Sequence, residues 1–203
     1  MSTSAETASV LRDGRRATLR PLPYEHPVAQ HLFEQVQQEY VARYGGRDAA
    51  VVEPAEFLPP RGIFLVAEVD GRVAGRVSVR HALTPWLAEW GGHIGFGVRP
   101  EFRRRGVATA LLRAGLRVAG GVQVERALVT CDAANVASAA TIERCGGMFE
   151  RLSRPDEHGR CVRRYWIDRA AGEAGAGRPV LRDHAHGAAT PARAASRAAS
   201  RRS

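Results

Sequence analysis

Two strand-like runs on either side of one dipeptide constrain the fold of this chain more than any other feature. IFLVAEV (63–69) and RVAGRVSVR (72–80) are rich in apolar, β-branched residues, and only Asp70 and Gly71 separate them. An Asp-Gly pair favours a two-residue turn whose central residues both have positive φ. The two runs are therefore predicted to form an antiparallel hairpin, from which a larger sheet can grow.

The rest of the chain alternates strand patterns with amphipathic helices. Residues 26–44 and 105–119 place apolar side chains at helical spacing. Strand patterns at 93–100 and 126–132 flank the second helix, and this order predicts a right-handed crossover onto a parallel neighbour. Further elements are predicted as strands at 17–22 and 161–168 and as a helix at 135–144. The predicted class is α/β (α+β), with helices flanking a mixed, mostly antiparallel twisted sheet.

Both ends of the chain lack a pattern that could bury a core. Residues 1–16 are small, polar and aperiodic, and residues 169–203 form an Ala/Ser/Arg-rich tract. We therefore predict one domain over residues 17–168, with a disordered segment on each side. The formal net charge is +9, and the last segment supplies more than half of it. All thirty basic residues are arginine, which indicates compositional bias rather than a basic partner surface.

The number of cysteines and the length of the apolar runs indicate the cellular compartment in which the chain is expected to fold. Cys131, Cys145 and Cys161 are odd in number and widely spaced, which argues against a disulfide framework and a zinc site. His184 and His186 form an H-x-H pair in the last segment, which we interpret as solvated linker rather than metal site. No apolar run reaches the about 18 residues of a membrane helix, and the first residues carry Glu6 and Asp13 without an apolar h-region, so export is not expected. We expect a cytoplasmic monomer or homodimer without metal or membrane partner.

Chemistry first becomes visible in the stretch EFRRRGVATALL (101–112), where three arginines and a glycine precede an apolar helix. The first N–H groups of a helix have no intrahelical acceptor, so they form an anion site together with the helix dipole. Gly106 and Ala108 leave room for a large anion near the main chain. The spacing matches neither a Walker loop nor G-x-G-x-x-G. Taken alone, the stretch could equally be a solvated basic patch beside a turn.

Its context resembles the GNAT superfamily of N-acetyltransferases. Arg103, Gly106 and Ala108 fill that superfamily's Q/R-x-x-G-x-G/A motif between a strand and a helix. TCDAANVASAATIERCGG (130–147) is similar to the next motif, in which a strand leads to Asn-x-x-Ser/Ala and a helix. Together with GGHIGFGVRP and RRYWI, these blocks resemble one branch of predicted acetyltransferases, and the resemblance covers about residues 17–168.

The resemblance implies acetyl-CoA as the acetyl donor and a primary amine as the acceptor. It places the pyrophosphate on main-chain amides around Gly106, with the arginines adding attraction. It places the pantetheine arm along a bulged strand, and Asn135 would cap a helix and contact the arm, as could Ser138. The implied cofactor-binding residues are Gly97, Val98, Arg99, Arg103, Arg104, Arg105, Gly106, Val107, Ala108, Thr109, Asn135 and Ser138.

The catalytic groups are less well marked. The N–H of Val98 is expected to polarise the thioester carbonyl. Many relatives have a tyrosine as proton donor to the leaving sulfur where this chain has Ile142. His93, Glu89 and Tyr165 are therefore candidates for handling protons, although a structural role is open for each. Cys145 could accept an acetyl group covalently, but a buried structural thiol is the simpler interpretation.

The acceptor pocket is expected between the first helix, residues 47–61, residues 81–92 and the closing strand. Three tryptophans would make it partly aromatic, and three acids could hold a cationic amine; they are Trp86, Trp90, Trp166, Glu53, Glu56 and Glu89. The acceptor, a small molecule or a protein, is not identified by the sequence. The alternative function is a non-enzymatic acyl-CoA sensor or a nucleic-acid module using the basic tail, although interleaved aromatic residues are lacking.

Overall fold

The computed structural model describes residues 7–46, 53–121 and 124–168. Within them, three α-helices flank eight strands, which confirms the predicted class. The helices are α1 (Pro27–Tyr44), α2 (Val107–Gly121) and α3 (Val136–Arg144). The strands are β1 (Thr7–Val10), β2 (Arg16–Pro21), β3 (Gly62–Val69), β4 (Arg72–Arg80), β5 (Ile94–Val98), β6 (Arg126–Asp132), β7 (Met148–Leu152) and β8 (Val162–Asp168).

The strands form two antiparallel sheets, one of five strands in the order β1-β2-β3-β4-β5 and one of three in the order β6-β8-β7. The β3–β4 hairpin is the one that the sequence predicts, and its turn residues Asp70 and Gly71 have φ values of 51° and 71°. The hairpin lies inside the larger sheet, so its register fixes the positions of the strands on both sides.

The N-terminal segment differs from its prediction. Residues 1–16 were expected to be disordered, but β1 pairs with β2 from Thr7↔Leu19 to Val10↔Arg16. The buried Leu11 and a hydrogen bond from Arg12 N–H to the carbonyl of Arg105 (3.0 Å) hold the following turn against the domain. No local pattern marks this strand because tertiary pairing stabilises it. Residues 1–6 and the predicted tail, 169–203, lie outside the described residues.

The predicted parallel pairing of the strands that flank α2 does not form. β5 and β6 are edge strands of separate sheets, and every strand pair in the described part of the chain is antiparallel. The expected bulge in β5 is also absent, because its register on β4 runs unbroken from Val79↔Ile94 to Gly75↔Val98. Register shifts lie instead between β3 and β4, at Ala67/Glu68, and between β7 and β8, at Phe149/Arg151.

The glycines of β5 serve close packing rather than a bulge. A Cβ atom at Gly97 would lie 3.3 Å from the Cγ2 atom of Val36 in α1, and one at Gly95 would lie 3.2 Å from the Oγ atom of Ser78. A glycine in a strand often marks such an approach. The absence of side chains at these positions allows α1 and the polar groups of β4 to come close to β5.

The main core lies between α2 and the strands β4 and β5. Leu111 and Leu112 are fully buried there, and Gly115 lets the helix approach the sheet. A second cluster, which includes Tyr24, Phe57 and Phe64, lies beneath α1. In the part of the chain that the structure describes, no helix combines the length and the apolarity needed to cross a bilayer.

The contact at Gly115 predicts that Gly115→Val lowers the free energy of unfolding by about 2 kcal/mol, because overpacking of a filled core costs roughly this much. A Cβ atom at this position would lie 3.0 Å from Cγ2 atoms of both Ile94 and Val77. Gly121→Val is the matched control, since a Cβ atom there has no neighbour within 4 Å and the residue is in the same helix. Urea denaturation measures both variants, and equal losses would contradict the packing explanation.

Candidate active site

The separation of β5 from β6 exposes main-chain groups in the middle of the protein. The N–H of Arg99 donates to the carbonyl of Ala74 (2.9 Å), so the odd-numbered residues of β5 face β4. Because main-chain groups alternate in direction along an antiparallel strand, those of Phe96 and Val98 face the gap. The main chains of Gly97 and Arg99, which were expected to contact a ligand arm, point away from the gap. Phe96 was not expected there.

One end of the gap is closed by His93. Its N–H donates to the carbonyl of Leu128 (2.7 Å), and its Nδ1 atom accepts a hydrogen bond from the N–H of Leu128 (2.9 Å). Burial, with a smaller contribution from His81, lowers the pKa of His93, in keeping with the neutral ring that an accepting Nδ1 requires. His93 therefore ties β6 to the start of β5 and lets the strands diverge beyond this point.

The opposite end of the gap opens onto the loop that begins α2. Arg104 and Gly106 have positive φ values, 65° and 94°, and alternate with residues of ordinary conformation. The first helical hydrogen bond of α2 joins the N–H of Ala110 to the carbonyl of Gly106 (3.0 Å). The amides of residues 107–109 precede it and lack intrahelical acceptors. A concave loop with exposed amides at a helix N-terminus is suited to a phosphate group.

The three arginines of this loop have different surroundings. Arg103 donates from Nη2 to Oε2 of Glu39 (2.5 Å) and from Nε to the carbonyl of Val98 (3.0 Å). Its side chain thus ties α1 to β5. The guanidinium group of Arg105 lies 5.7 Å from the ring centroid of Phe102. Arg104 is exposed at the edge of the cleft described below, where its charge can reach a bound anion.

Arg12 is a residue of this loop region that the sequence did not single out. It follows β1, and its Cγ atom would lie 3.4 Å from a Cβ atom at Gly106. Its main-chain N–H donates to the carbonyl of Arg105, which fixes the main chain of Arg12 beside the loop. The only available signal was its charge, because nothing in the local sequence predicts that β1 folds back on the domain.

The start of α3 forms another wall. The Oδ1 atom of Asn135 accepts a hydrogen bond from the N–H of Ser138 (3.1 Å), which confirms the predicted cap. Both residues line the same cleft as Gly106 and Val98. The cap therefore brings two polar side chains to the side of the gap that β6 forms.

The gap, the loop and the cap belong to one cleft of about 580 Å³. This volume is in the range of small-molecule and cofactor sites. The cleft continues past β5 to the face of β4 and to Trp86 and Trp90, whose ring centroids are 6.0 Å apart. It therefore joins an amide-lined end, suited to phosphates, to an aromatic end.

Glu89 has a structural role rather than the predicted catalytic one. Its carboxylate accepts hydrogen bonds from Nη1 and Nη2 of Arg151 (3.0 and 2.8 Å) and from the N–H of Arg154 (2.8 Å). The hydrogen bonds of Arg151 are the main cause that lowers the pKa of Glu89 to about 2. Such a weak base is a poor proton acceptor near neutral pH. Glu89 is not among the described residues that line the cleft.

Tyr165 and Ile142 are also buried. The hydroxyl of Tyr165 donates to Oε1 of Glu143 (3.1 Å), and burial, together with this contact, raises the pKa of Tyr165. Ile142, in the position where a tyrosine was considered, is fully buried in the core. Tyr165, Ile142 and His93 are not among the described residues that line the cleft. The structure thus brings none of the three proton-handling candidates to the cleft.

The thiols are poorly suited to act as nucleophiles. Cys131 lines the cleft, but burial raises its pKa to about 12. Burial also raises the pKa of Cys145, which is in the core. Because the thiolate is the reactive form, both side chains behave as small apolar groups.

The acceptor pocket only partly follows its prediction. Trp86 and Trp90 line the cleft. Trp166 is not among the described lining residues, and its ring centroid lies 6.5 Å from that of His93. The carboxylate of Glu56 is bonded to Nε of Arg80 (2.6 Å), and neither it nor Glu53 is among the described lining residues. Residues 47–52 of the expected pocket lie outside the described residues. The acids predicted to hold a cationic amine are therefore not directed to the cleft.

Comparison with known proteins identifies the family. Residues 28–147, more than half of the chain, match the family model described as the Acetyltransferase (GNAT) family. The GNAT domain of S. lividans PAT is similar in structure, with a TM-score of 0.58, 21% identity, and coverage of 80% of this chain and 96% of that one.

Two further solved structures are similar. Mycobacterium smegmatis RimJ in complex with CoA-disulfide has a TM-score of 0.60 and 20% identity, covering 82% of this chain and 91% of that one. Spermidine N-acetyltransferase from Vibrio cholerae, in complex with CoA and spermine, has a TM-score of 0.59 and 14% identity, covering 77% and 98%. At these identities the likeness shows a shared fold.

The surroundings of Glu89 predict a pH-dependent effect on stability. At pH 7, Glu89→Gln should lower the free energy of unfolding by about 2 kcal/mol, because charged hydrogen bonds to Arg151 are lost. The depressed pKa means that this stabilisation is complete above the ordinary value of 4.5 and is lost as the pH falls towards 2. The difference between wild type and variant should therefore shrink in acid.

Urea denaturation at pH 7 and pH 3 measures this difference. Glu68→Gln is the control, because its pair with Arg20 is more exposed and should contribute only about 0.5 kcal/mol. A difference for Glu89→Gln that stayed constant with pH would contradict the assignment.

Proposed function

The chain belongs to the GNAT family of acetyltransferases, and from this premise we propose that it transfers the acetyl group of acetyl-CoA to a primary amine of a small molecule or protein. The observation that supports this most is the gap between β5 and β6, which leads directly to the amide-lined start of α2. A long ligand with phosphates at one end and a thioester at the other fits this arrangement. The free cysteines fit a reducing, cytoplasmic setting.

We propose that the amides of residues 104–109 hold the pyrophosphate. Positive φ at Arg104 and Gly106 turns the loop into a concave surface, and the N-terminus of α2 adds favourable charge. Arg12 and Arg104 supply attraction from the two sides of the loop. Arg103 acts indirectly, because its side chain is bonded to Glu39 and Val98.

The pantetheine arm is proposed to lie in the gap, pairing with the main chain of Phe96 and Val98 like an added strand. Asn135 and Ser138 border the arm from the side of β6. An N–H in this stretch, that of Val98 or Phe96, would donate to the thioester oxygen and stabilise the negative charge that develops there. The position of these donors follows from the alternation of β5 and needs no bulge.

Direct attack on the thioester fits this site. The lone pair of the neutral amine forms a C–N bond to the carbonyl carbon, and collapse of the tetrahedral intermediate breaks the C–S bond. The proton of the amine passes to water, and the thiolate takes up a proton from water. A thiol with a pKa of about 8.5 can leave with little assistance. The burial of Tyr165 and Ile142 therefore does not preclude transfer.

Titration calorimetry with acetyl-CoA tests the proposal first, and release of free thiol on addition of amines tests it second. Binding and acceptor-dependent thiol release are expected. No binding at millimolar acetyl-CoA would end the proposal. Binding without thiol release for any acceptor in a panel of amino acids, amines, polyamines, aminoglycosides and peptides would favour a sensor instead.

Gly106→Glu should weaken acetyl-CoA binding by about 100-fold or more, which corresponds to roughly 2.7 kcal/mol. The new side chain would crowd Arg12 and place a negative charge beside the exposed amides. Gly45→Glu controls for the cost of positive φ, because Gly45 has φ +75 and no neighbour within 4 Å of a Cβ atom. Calorimetry should find that Gly45→Glu binds acetyl-CoA with the affinity of the wild type. If Gly106→Glu and Gly45→Glu bound acetyl-CoA equally well, the loop would be excluded as the phosphate site.

Arg12→Ala should weaken acetyl-CoA binding by about tenfold, because one charged contact is lost. Pantetheine, which lacks the phosphates, should inhibit acetyl transfer by the variant and by the wild type equally. Arg16→Ala is the control, since Arg16 is exposed on the same hairpin and is not among the described lining residues. If Arg12→Ala and Arg16→Ala bound acetyl-CoA alike, Arg12 would have no part in phosphate binding.

A further inference from the structure

The charges that line the cleft are mostly positive. Among the described lining residues there are eight arginines and three acids, an excess of five arginines, one of which, Arg80, is paired with Glu56 outside the lining. The arginines near the start of α2 suit the phosphates of the proposed donor. Arg76 and Arg80 project from β4 instead, and Arg80 lies opposite His93, at the end of β5 farthest from the phosphate loop.

The acids of the cleft are already engaged. Glu39 is bonded to Arg43 and Arg103, each at 2.5 Å, and Asp156 is bonded to Arg160 at 3.0 Å. Asp132 accepts a hydrogen bond from the N–H of Ala134 in the turn before α3. Polyamines and aminoglycosides carry several ammonium groups that need carboxylate partners. The electrostatics of this cleft are therefore unfavourable for polycations.

Arg76 has a fixed position next to the gap. A Cβ atom at Gly95 would lie 3.7 Å from its Nη1 atom, and one at Gly97 would lie 4.0 Å from its Nε atom. Its guanidinium group therefore lies across the two glycines on either side of Phe96. Nη1 also donates to Oγ of Ser78 (3.4 Å). The hydroxyl of Ser78 in turn donates to the carbonyl of Gly95 (3.2 Å), so Ser78 helps to hold the guanidinium group in place. A guanidinium group held in this position suits a carboxylate within reach of the reacting centre.

The aromatic end of the cleft provides the third feature. Trp86 and Trp90 are partly exposed, with an angle of 36° between their rings. Nε1 of Trp90 donates to the carbonyl of Arg154 (2.9 Å), which fixes the orientation of this ring. Next to them, the guanidinium group of Arg80 lies 4.8 Å from the centroid of Phe57 and is neutralised by Glu56. A flat apolar group can pack against these surfaces.

We propose that the acceptor is a free aromatic α-amino acid, acetylated on its α-amino group. Its carboxylate would bind the guanidinium group of Arg76, and its ring would pack against Trp86 and Trp90. The positive surroundings favour the neutral, nucleophilic form of the amine. This inference rests on the proposed acetyl transfer and specifies its acceptor.

The test uses the purified full chain with acetyl-CoA and compares three acceptors by thiol release. L-phenylalanine carries the ring and the carboxylate, phenethylamine only the ring, and spermidine neither. We expect kcat/KM to be about tenfold or more higher for phenylalanine than for each of the others, as one charged contact implies. A higher kcat/KM for spermidine, or equal values for phenylalanine and phenethylamine, would overturn the inference.

Arg76→Gln provides the protein side of the test. It should raise KM for phenylalanine by about tenfold and leave KM for phenethylamine within about twofold, because only the former has a carboxylate. Arg72→Gln is the control on the same strand, since Arg72 is exposed and is not among the described lining residues. Equal changes for both acceptors would exclude a carboxylate contact.

The outcomes separate the two proposals. Failure of the wild type to bind acetyl-CoA would reject the enzyme function itself. Binding of acetyl-CoA with transfer to spermidine rather than to phenylalanine would reject only the acceptor. If Arg76→Gln did not fold, as judged by circular dichroism, the comparison of acceptors in the wild type would still decide. Trp86→Ala adds a check, because it should raise KM for phenylalanine more than for free L-alanine.

Discussion

The functional architecture depends on one constraint, the separation of β5 from β6. Both are edge strands, and an edge strand presents a row of N–H and C=O groups that no neighbouring strand pairs. Here His93 and Leu128 join them at one end, while beyond that point the main-chain groups of Phe96 and Val98 face the gap, where the carbonyl of Val98 accepts a hydrogen bond from Nε of Arg103. An unpaired edge inside a protein is costly unless a ligand or water satisfies it. The main-chain groups that face the gap therefore support the proposal that an extended ligand pairs with them.

Arginine–acid pairs hold the walls of the gap in place. Arg103 ties α1 to β5 through Glu39, Arg151 ties β7 to the turn at Glu89, and Arg80 ties β4 to Glu56. These pairs join elements that are distant in sequence. The electrostatic character of the cleft is positive because its described lining residues include more arginines than acids. This excess of positive charge supports the proposals of an anionic donor and of an acceptor that is not a polycation.

Much of the site could be predicted locally. The Asp70–Gly71 turn, the helix start after Gly106 and the cap at Asn135 depend on main-chain conformation and on residues within a few positions, so their signals are contained in short stretches. Short stretches of sequence could not predict three other features, namely the pairing of β1, the position of Arg12 and the partners of Glu89. Each depends on contacts between residues far apart in sequence, such as Arg12 with Arg105 and Glu89 with Arg151.

The sequence by itself determined the family, the hairpin at the centre of the larger sheet and the amide-rich loop before α2, because turn and cap preferences act locally. The tertiary structure alone decided which groups reach the cleft. It buried Tyr165, engaged Glu89 with arginines, used His93 to join two strands and brought Arg12 and Arg76 to the site. The physical reason is that the environment of a side chain, and with it the pKa and availability, is set by residues brought together only by folding.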